Sequence, residues 1–164
     1  MVTPDASSPP AAAPDAAPHT PAPIEDAPVT IGGRLDEEAR DRTHAKPEVE
    51  DVLAAFETGG VKVADAKQGI ARTSKARFCK YGQSPLGHRV MVCECNDADE
   101  AERAATFMRA QLVDPRRRVE TQGRLVLTVF VTAKTPESDR ESEKYFSIFS
   151  GLQPATSPDR AADQ

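Results

Sequence analysis

Residues 88–112 read HRVMVCECNDADEAERAATFMRAQL, and this stretch decides the fold. Its first part predicts a strand over Arg89–Cys95, with the valines on one face and the methionine and both cysteines on the other. Its second part predicts a helix over Ala98–Leu112, with Asp97 and Glu100 spaced as a capping box. Because both faces of the strand are apolar, we expect it to be central in a sheet or partly covered on its second face.

Similar patterns predict the other elements of a single domain over residues 47–153. A helix starts at Pro47, carries an apolar stripe and stops at Gly59-Gly60. A last helix starts at Thr135-Pro136 and runs to about Ser150. Four more strands are predicted over Val61–Ala64, Arg77–Tyr81, Arg116–Thr121 and Arg124–Ala133, the last two as a hairpin over Gln122-Gly123. The order α-β-β-β-α-β-β-α predicts an α+β fold, with a four- or five-stranded, mainly antiparallel sheet and three helices on one of its faces.

The segments outside this domain have a different composition. Residues 1–28 hold eight prolines and eight alanines, which predicts a disordered, partly extended spacer. Residues 29–46 are charged and predict a mostly unstructured linker with a short helix near Asp36–Arg42. Residues 154–164 predict a second disordered tail. The domain carries 16 acids and 16 Lys or Arg, so the net charge of −5 belongs to the segments around it. This balance argues against a nucleic-acid partner.

The location of the protein is a separate question. The apolar runs reach only four or five residues, so no membrane span is predicted. The first residues lack the basic start and apolar run of a signal peptide. Even so, a Pro/Ala spacer before one small domain is typical of an exported or lipid-anchored protein whose signal has been removed. We expect an exported or cell-envelope protein if the signal is missing from this sequence, and otherwise a cytoplasmic one.

Several apolar patterns resemble those of small exported, lipoprotein-type bacterial domains of unknown function. They are the opening VLAAFETGGVKV (residues 52–63), the strand and turn VMVCECND (90–97), the strand LVLTV (125–129) and a helix ending FSGL (149–152). The sequence departs from those domains at Cys93 and Cys95, where aromatic residues are usual. The resemblance implies the fold and an exported setting, and it assigns no chemistry.

The three cysteines are the first candidates for chemistry. Cys93 and Cys95 are two residues apart on one strand, about 7 Å from each other, which is too far for a disulfide between them. Cys79 lies on the preceding predicted strand and can bridge to Cys93 or to Cys95. Two alternatives stay open, namely three reduced core cysteines and, less favoured, a Cu(I) or Zn(II) site on Cys79, Cys93 and Cys95.

Charged residues give two further candidates. The segment Ala66–Cys93 holds no acid, and with Arg116–Arg118 nearby it can form an anion-binding patch, the alternative being a solvated face. Its cations are Lys67, Arg72, Lys75, Arg77, Lys80 and Arg89. Glu94 is the acid of an otherwise apolar strand. We expect it in water at a sheet edge; if buried, it needs Arg89 or Arg124 as a partner and becomes a site candidate.

These observations favour a non-enzymatic function. The sequence shows no Ser-His-acid spacing, glycine-rich phosphate loop or zinc-protease motif, so we predict no catalytic residues and no cofactor. The favoured function is an exported or surface-associated accessory domain that binds an unknown ligand at the end of a flexible tether. One alternative is a cytoplasmic adaptor that binds a protein or an anionic partner through Lys67–Arg89. A third is a metal-thiolate or thiol-redox protein that uses the three cysteines.

Overall fold

The computed structural model describes residues 30–111, 114 and 116–152. This part of the chain forms an α+β domain with a five-stranded antiparallel sheet and four α-helices, which confirms the predicted class with one helix more than expected. The predicted spacer 1–28 and tail 154–164 lie outside the described residues. The elements are α1 (Ile31–Arg40), α2 (Val49–Thr58), β1 (Ala64–Gly69), a 3₁₀ helix (Ala71–Ser74), β2 (Phe78–Gln83), β3 (Arg89–Glu94), α3 (Ala98–Gln111), β4 (Arg117–Gln122), β5 (Leu125–Phe130) and α4 (Pro136–Ser150).

The strands are ordered β1-β2-β3-β5-β4, and every neighbouring pair is antiparallel. The strand β3 is therefore central, as its two apolar faces predicted. In the hairpin of β4 and β5, Gln122 lies opposite Leu125, so the loop is Gly123-Arg124 and not Gln122-Gly123. Gly123 has a φ of 55°, a value that tight two-residue hairpin loops require at their first position.

Helices cover both faces of the sheet, which corrects the prediction that all of them share one face. On the first face, α2 and α4 pack against Val90, Val92 and the leucines of β5. On the second face, the alanines and Met108 of α3 pack against Cys93 and Val126. A sheet that is apolar on both faces needs a layer on each, and the small side chains of α3 allow close packing. No helix among the described residues has both the length and the apolarity to cross a bilayer.

Several predicted boundaries are corrected. The strand β1 begins at Ala64, where the predicted strand ended, because Val61 and Val63 enter the core from the segment before it. The helix α2 begins at Val49, with Glu48 and not Pro47 at its start. The strand β2 extends to Gln83, two residues past its predicted end, and β5 stops at Phe130, three residues before its predicted end. The end predicted for the helix of the opening stretch, Leu112, lies outside the described residues.

The helix α1 lies in the segment 29–46, for which we predicted a mostly unstructured linker with a short helix near Asp36–Arg42; the observed helix begins earlier, at Ile31, and ends at Arg40. Thr30 caps it by accepting the Gly33 amide at 3.1 Å. Its attachment to the domain is polar: the buried carboxylate of Glu38 accepts the amides of Ala71 and Arg72 at 2.8 and 3.1 Å. An attachment of this kind leaves no apolar stripe in the sequence. The described fold therefore begins at Thr30 and not at Pro47.

Candidate functional site

A disulfide joins Cys79 of β2 to Cys93 of β3. The two residues lie directly opposite each other in the hairpin, with their Cα atoms 4.1 Å apart. Of the two predicted pairings, the register selects Cys93, because Cys95 lies beyond the end of β3. The crosslink closes a loop of about 15 residues, for which loop entropy gives a stabilisation of about 3 kcal/mol.

Cys95 keeps a free thiol, and that thiol is fully buried beneath α3. Burial raises the pKa of the thiol to about 12, with Glu100 adding to the rise. The thiol is therefore protonated at neutral pH and a poor nucleophile. Because the disulfide takes two of the three thiols, the alternative metal site on Cys79, Cys93 and Cys95 loses two of its three ligands. The described residues contain no group of three His, Cys, Asp or Glu side chains placed to hold a metal ion.

Glu94 is completely buried in the central strand, which corrects the expectation that it lies in water at a sheet edge. Its Oε1 accepts hydrogen bonds from the Val49 amide at 2.6 Å and from Arg42 Nη2. Its Oε2 accepts from Arg42 Nε at 3.0 Å and from Arg124 Nη2 at 3.1 Å. Arg124 was one of the two expected partners, whereas the other, Arg89, lies on the opposite face of β3.

The two arginines hold the segment between α1 and α2 onto the sheet. Arg124 donates to the carbonyl oxygens of Thr43 (2.8 Å) and Ala45, as well as to Cys95 O at 2.9 Å. Arg42 also donates to Glu50, which Lys80 contacts at 2.8 Å. Although partial burial alone would raise it, hydrogen bonds from Arg42 and Lys80 lower the pKa of Glu50 to about 2. We name Arg42, Glu94 and Arg124 the buried ion cluster. Its hydrogen bonds are taken up within the protein, which indicates a structural role.

The predicted basic segment does not form one patch. Three of its six cations are in ion pairs: Arg72 with Glu37, Arg77 with Glu100 and Lys80 with Glu50. Lys75 lies over the ring of Phe107, 5.3 Å from its centre. Arg72 and Arg77 line one depression that three acids, Glu37, Glu38 and Asp41, also line, whereas Lys80 lies on the other face of the sheet beside Glu50.

The two remaining cations, Lys67 and Arg89, lie on the same face of the sheet. Lys67 is opposite Tyr81, which is opposite Met91. Arg89 lies two residues before Met91 on β3, so the two side chains share a face. Phe130 of β5 is opposite Arg89, and Arg117 of β4 is opposite Phe130. This is the face that carries α3, which packs mainly on β4 and β5 and also covers Cys93 of β3. On the remaining part of this face, Lys67 and Arg89 are exposed and Tyr81 is half exposed.

The turn of the β2–β3 hairpin is fixed by hydrogen bonds. Its backbone closes through Ser84 N to His88 O and Gly87 N to Ser84 O, both 2.9 Å. The Ser84 hydroxyl accepts the His88 amide at 3.1 Å and donates to Glu141 of α4 at 2.6 Å. The His88 ring is fully buried, with Nε2 at 3.4 Å from the same carboxylate. Serine, histidine and glutamate thus meet here, but the serine hydroxyl faces the carboxylate and not the imidazole. The group attaches the turn to α4.

We name four residues of this sheet face, together with the exposed Leu86 of the adjoining turn, the hairpin surface. The four strand residues are Lys67 of β1, Tyr81 of β2, and Arg89 and Met91 of β3. A shallow depression of about 560 Å³ lies there, and Lys67, Tyr81, Arg89 and the acidic Asp65 line it. Sequence reasoning found Lys67 and Arg89 as part of the basic segment. It missed their separation from the other cations, because the strand register that separates them is a long-range property.

No family model, curated protein or solved structure matches this chain. The resemblance to small exported bacterial domains therefore stays a prediction. The candidate site rests on the geometry described above, in which the hairpin surface exposes charged and apolar side chains together.

Proposed function

We propose that this protein is a non-enzymatic, exported or surface-associated binding domain. The observation that carries the proposal is the disulfide between Cys79 and Cys93. Structural disulfides persist in oxidising compartments and are rare in the cytosol, where thiols are kept reduced. A crosslink between two paired strands, one of them central, belongs to the framework of the fold.

The arrangement of the charged side chains also supports a binding role. The buried acid that could have been catalytic, Glu94, is neutralised by two arginines and an amide. The cations and apolar side chains of the hairpin surface are exposed instead. Small-molecule sites are concave and bury most of the ligand, whereas these side chains lie on an open strand face. Such a face fits a larger partner better than a small substrate.

The experiment that tests this proposal counts thiols in protein taken from its own cells. Cells are lysed in denaturant with an alkylating reagent, and the intact mass is compared with that of a sample reduced before alkylation. We expect one alkylated cysteine without reduction and three after it. A parallel digestion of intact cells with an added protease should remove the protein if it is exposed at the surface. Three alkylated cysteines without reduction, in protein that the protease cannot reach, would refute the proposal.

The cytoplasmic adaptor is the second candidate. Lys67 and Arg89, the ends of the predicted basic segment, lie on one exposed face and give it a surface for a protein or an anionic partner. Both candidate functions use this surface, and the thiol count distinguishes the exported domain from the cytoplasmic adaptor. A fully reduced protein inside the cell would favour the adaptor.

A further inference from the structure

We propose that the hairpin surface binds the headgroup region of an anionic lipid bilayer. The proposal rests on the surface association proposed above and names the partner that this surface fits. Its basis is the combination of exposed apolar side chains on the β2–β3 hairpin with cations on β3 and the adjacent β1. Proteins that lie on a membrane place aromatic and aliphatic side chains at the headgroup level and basic side chains around them.

The exposed apolar side chains are concentrated at this hairpin. Three large hydrophobic residues are exposed in the described part of the chain, and two of them, Tyr81 (50%) and Leu86 (46%), belong to β2 and the turn that follows it. The half-buried Met91 lies directly opposite Tyr81 on β3. A tyrosine with an apolar ring and a polar hydroxyl is suited to a membrane–water interface, where one end is apolar and the other hydrated.

The charges at this surface complement an anionic bilayer. Lys67 and Arg89, both exposed, flank the tyrosine and the methionine. Within residues 30–111, 114 and 116–152, these two cations form no ion pair, whereas Arg72, Arg77 and Lys80 each have an acidic partner. Asp65 lines the same depression and offsets one of the charges. The surface therefore keeps a net positive charge that is available to phosphate groups.

The turn holds Leu86 in a defined position. Gly87 adopts a φ of 80°, which favours glycine, and the hydrogen bonds of Ser84 attach the turn to His88 and Glu141. An apolar side chain on a fixed turn binds a bilayer without losing the freedom of a flexible loop. The hydrogen bonds among Ser84, His88 and Glu141 therefore serve to fix the turn that carries Leu86.

A bilayer fits this surface better than single-stranded nucleic acid does. Proteins that bind single strands stack successive bases on several aromatic rings. Here Tyr81 is the exposed ring, because the ring of Phe130 lies under Arg116, 4.9 Å from its guanidinium carbon. The aliphatic Leu86 at the turn has no role in base stacking, whereas it can enter the acyl boundary of a membrane.

The test uses the full chain and two kinds of vesicle, phosphatidylcholine alone and an equal mixture of phosphatidylglycerol and phosphatidylcholine. We expect sedimentation with the anionic vesicles at low salt, and release at high salt. The double variant Lys67→Ala/Arg89→Ala should lower the partition coefficient about 25-fold, because each cation near an anionic leaflet contributes about fivefold. Leu86→Ser should lower it about fivefold, since about half of a leucine's transfer energy is available at this exposure.

Matched controls lie on α4, across the sheet. Arg140→Ala/Lys144→Ala removes the same charge from exposed positions and should leave the partition nearly unchanged. The chain has no tryptophan, so Leu86→Trp creates a single fluorescent reporter. Its emission should move to shorter wavelength with anionic vesicles, while Ser147→Trp on α4 should not respond. Thermal unfolding of each variant shows that it is folded.

Several outcomes would overturn the proposal. One is an equal loss of binding in the α4 charge variant, which would show non-specific attraction. Others are an unchanged Leu86→Trp emission, the absence of binding to anionic vesicles, or tighter binding of a single-stranded oligonucleotide to the same residues. The failure of surface export is distinguishable from these, because the thiol count and the protease digestion use native cells and no vesicles.

Discussion

Removing the carboxylate of Glu94 should cost more stability than removing any exposed acid. Glu94 is fully buried and accepts four hydrogen bonds, three of them from arginine. In Glu94→Ala, the guanidinium groups of Arg42 and Arg124 stay buried without the charge that compensates them. Breaking a buried pair in this way costs about 3–5 kcal/mol.

We expect the lower end of that range, for a reason visible in the contacts. Arg42 keeps its ion pair with Glu50, and Arg124 keeps the carbonyl oxygens of Thr43, Ala45 and Cys95. The predicted loss is therefore about 3 kcal/mol. Glu94→Gln preserves the volume and part of the hydrogen bonding, so its loss should be smaller, about 2 kcal/mol. For a small domain these values are a large fraction of the total stability.

The assay is urea unfolding followed by far-ultraviolet circular dichroism, with the disulfide intact in every sample. A shifted midpoint with an unchanged slope reports a change in stability. The matched control is Glu137→Ala, which breaks an exposed pair with Arg140 and should cost no more than about 0.5 kcal/mol. If Glu94→Ala costs less than about 1 kcal/mol, or as little as the control, the structural role assigned to the buried ion cluster is refuted.

Three further predictions concern other parts of the fold. A chain that starts at Pro47 lacks Arg42, so its free energy of unfolding in urea should be about 3 kcal/mol lower than that of a chain that starts at Thr30. Equal midpoints would show that α1 and Arg42 are dispensable. The Cys95 thiol is buried and its pKa is raised to about 12, so it should resist iodoacetamide at pH 8 in the folded protein and react in urea. Rapid labelling of the folded protein, read by mass spectrometry, would contradict its burial. Gly82→Ala should lower the stability by about 1–3 kcal/mol, because the new Cβ would lie 2.5 Å from Ala64 O. Gly32→Ala meets no atom within 4 Å and should be neutral or stabilising, so equal thermal midpoints for these two variants would contradict the close packing at Gly82.

Local patterns predicted the elements whose packing is apolar. The helix α4 follows its Thr135 cap and proline start, and it spans the predicted residues. The strand β3 is central because both of its faces are apolar. The sequence also indicated that Cys79 could reach β3, but the choice between Cys93 and Cys95 depended on the hairpin register. That register is set by how whole strands pack, and short windows of sequence do not contain it.

Polar attachments explain most of the errors. The helix α1 is held by the carboxylate of Glu38, and β1 is a polar edge strand with exposed residues, so neither carries an apolar pattern. Arg42 and Glu94 are 52 residues apart in the sequence, and no local pattern predicts their contact. The expectation that Glu94 lies in water followed from the usual cost of burying a carboxylate, and the two arginines remove that cost.

The most direct test of the account is the cysteine connectivity in protein from its own cells. After free thiols are blocked, trypsin should release Phe78–Lys80 joined to the fragment 90–103, and cleavage after Glu94 then separates Cys93 from Cys95. The account predicts that Phe78–Lys80 stays joined to Val90–Glu94, while Cys95 carries the blocking group. A link to the Cys95 fragment would contradict the strand register, and three blocked cysteines would contradict both the crosslink and the exported setting proposed from it.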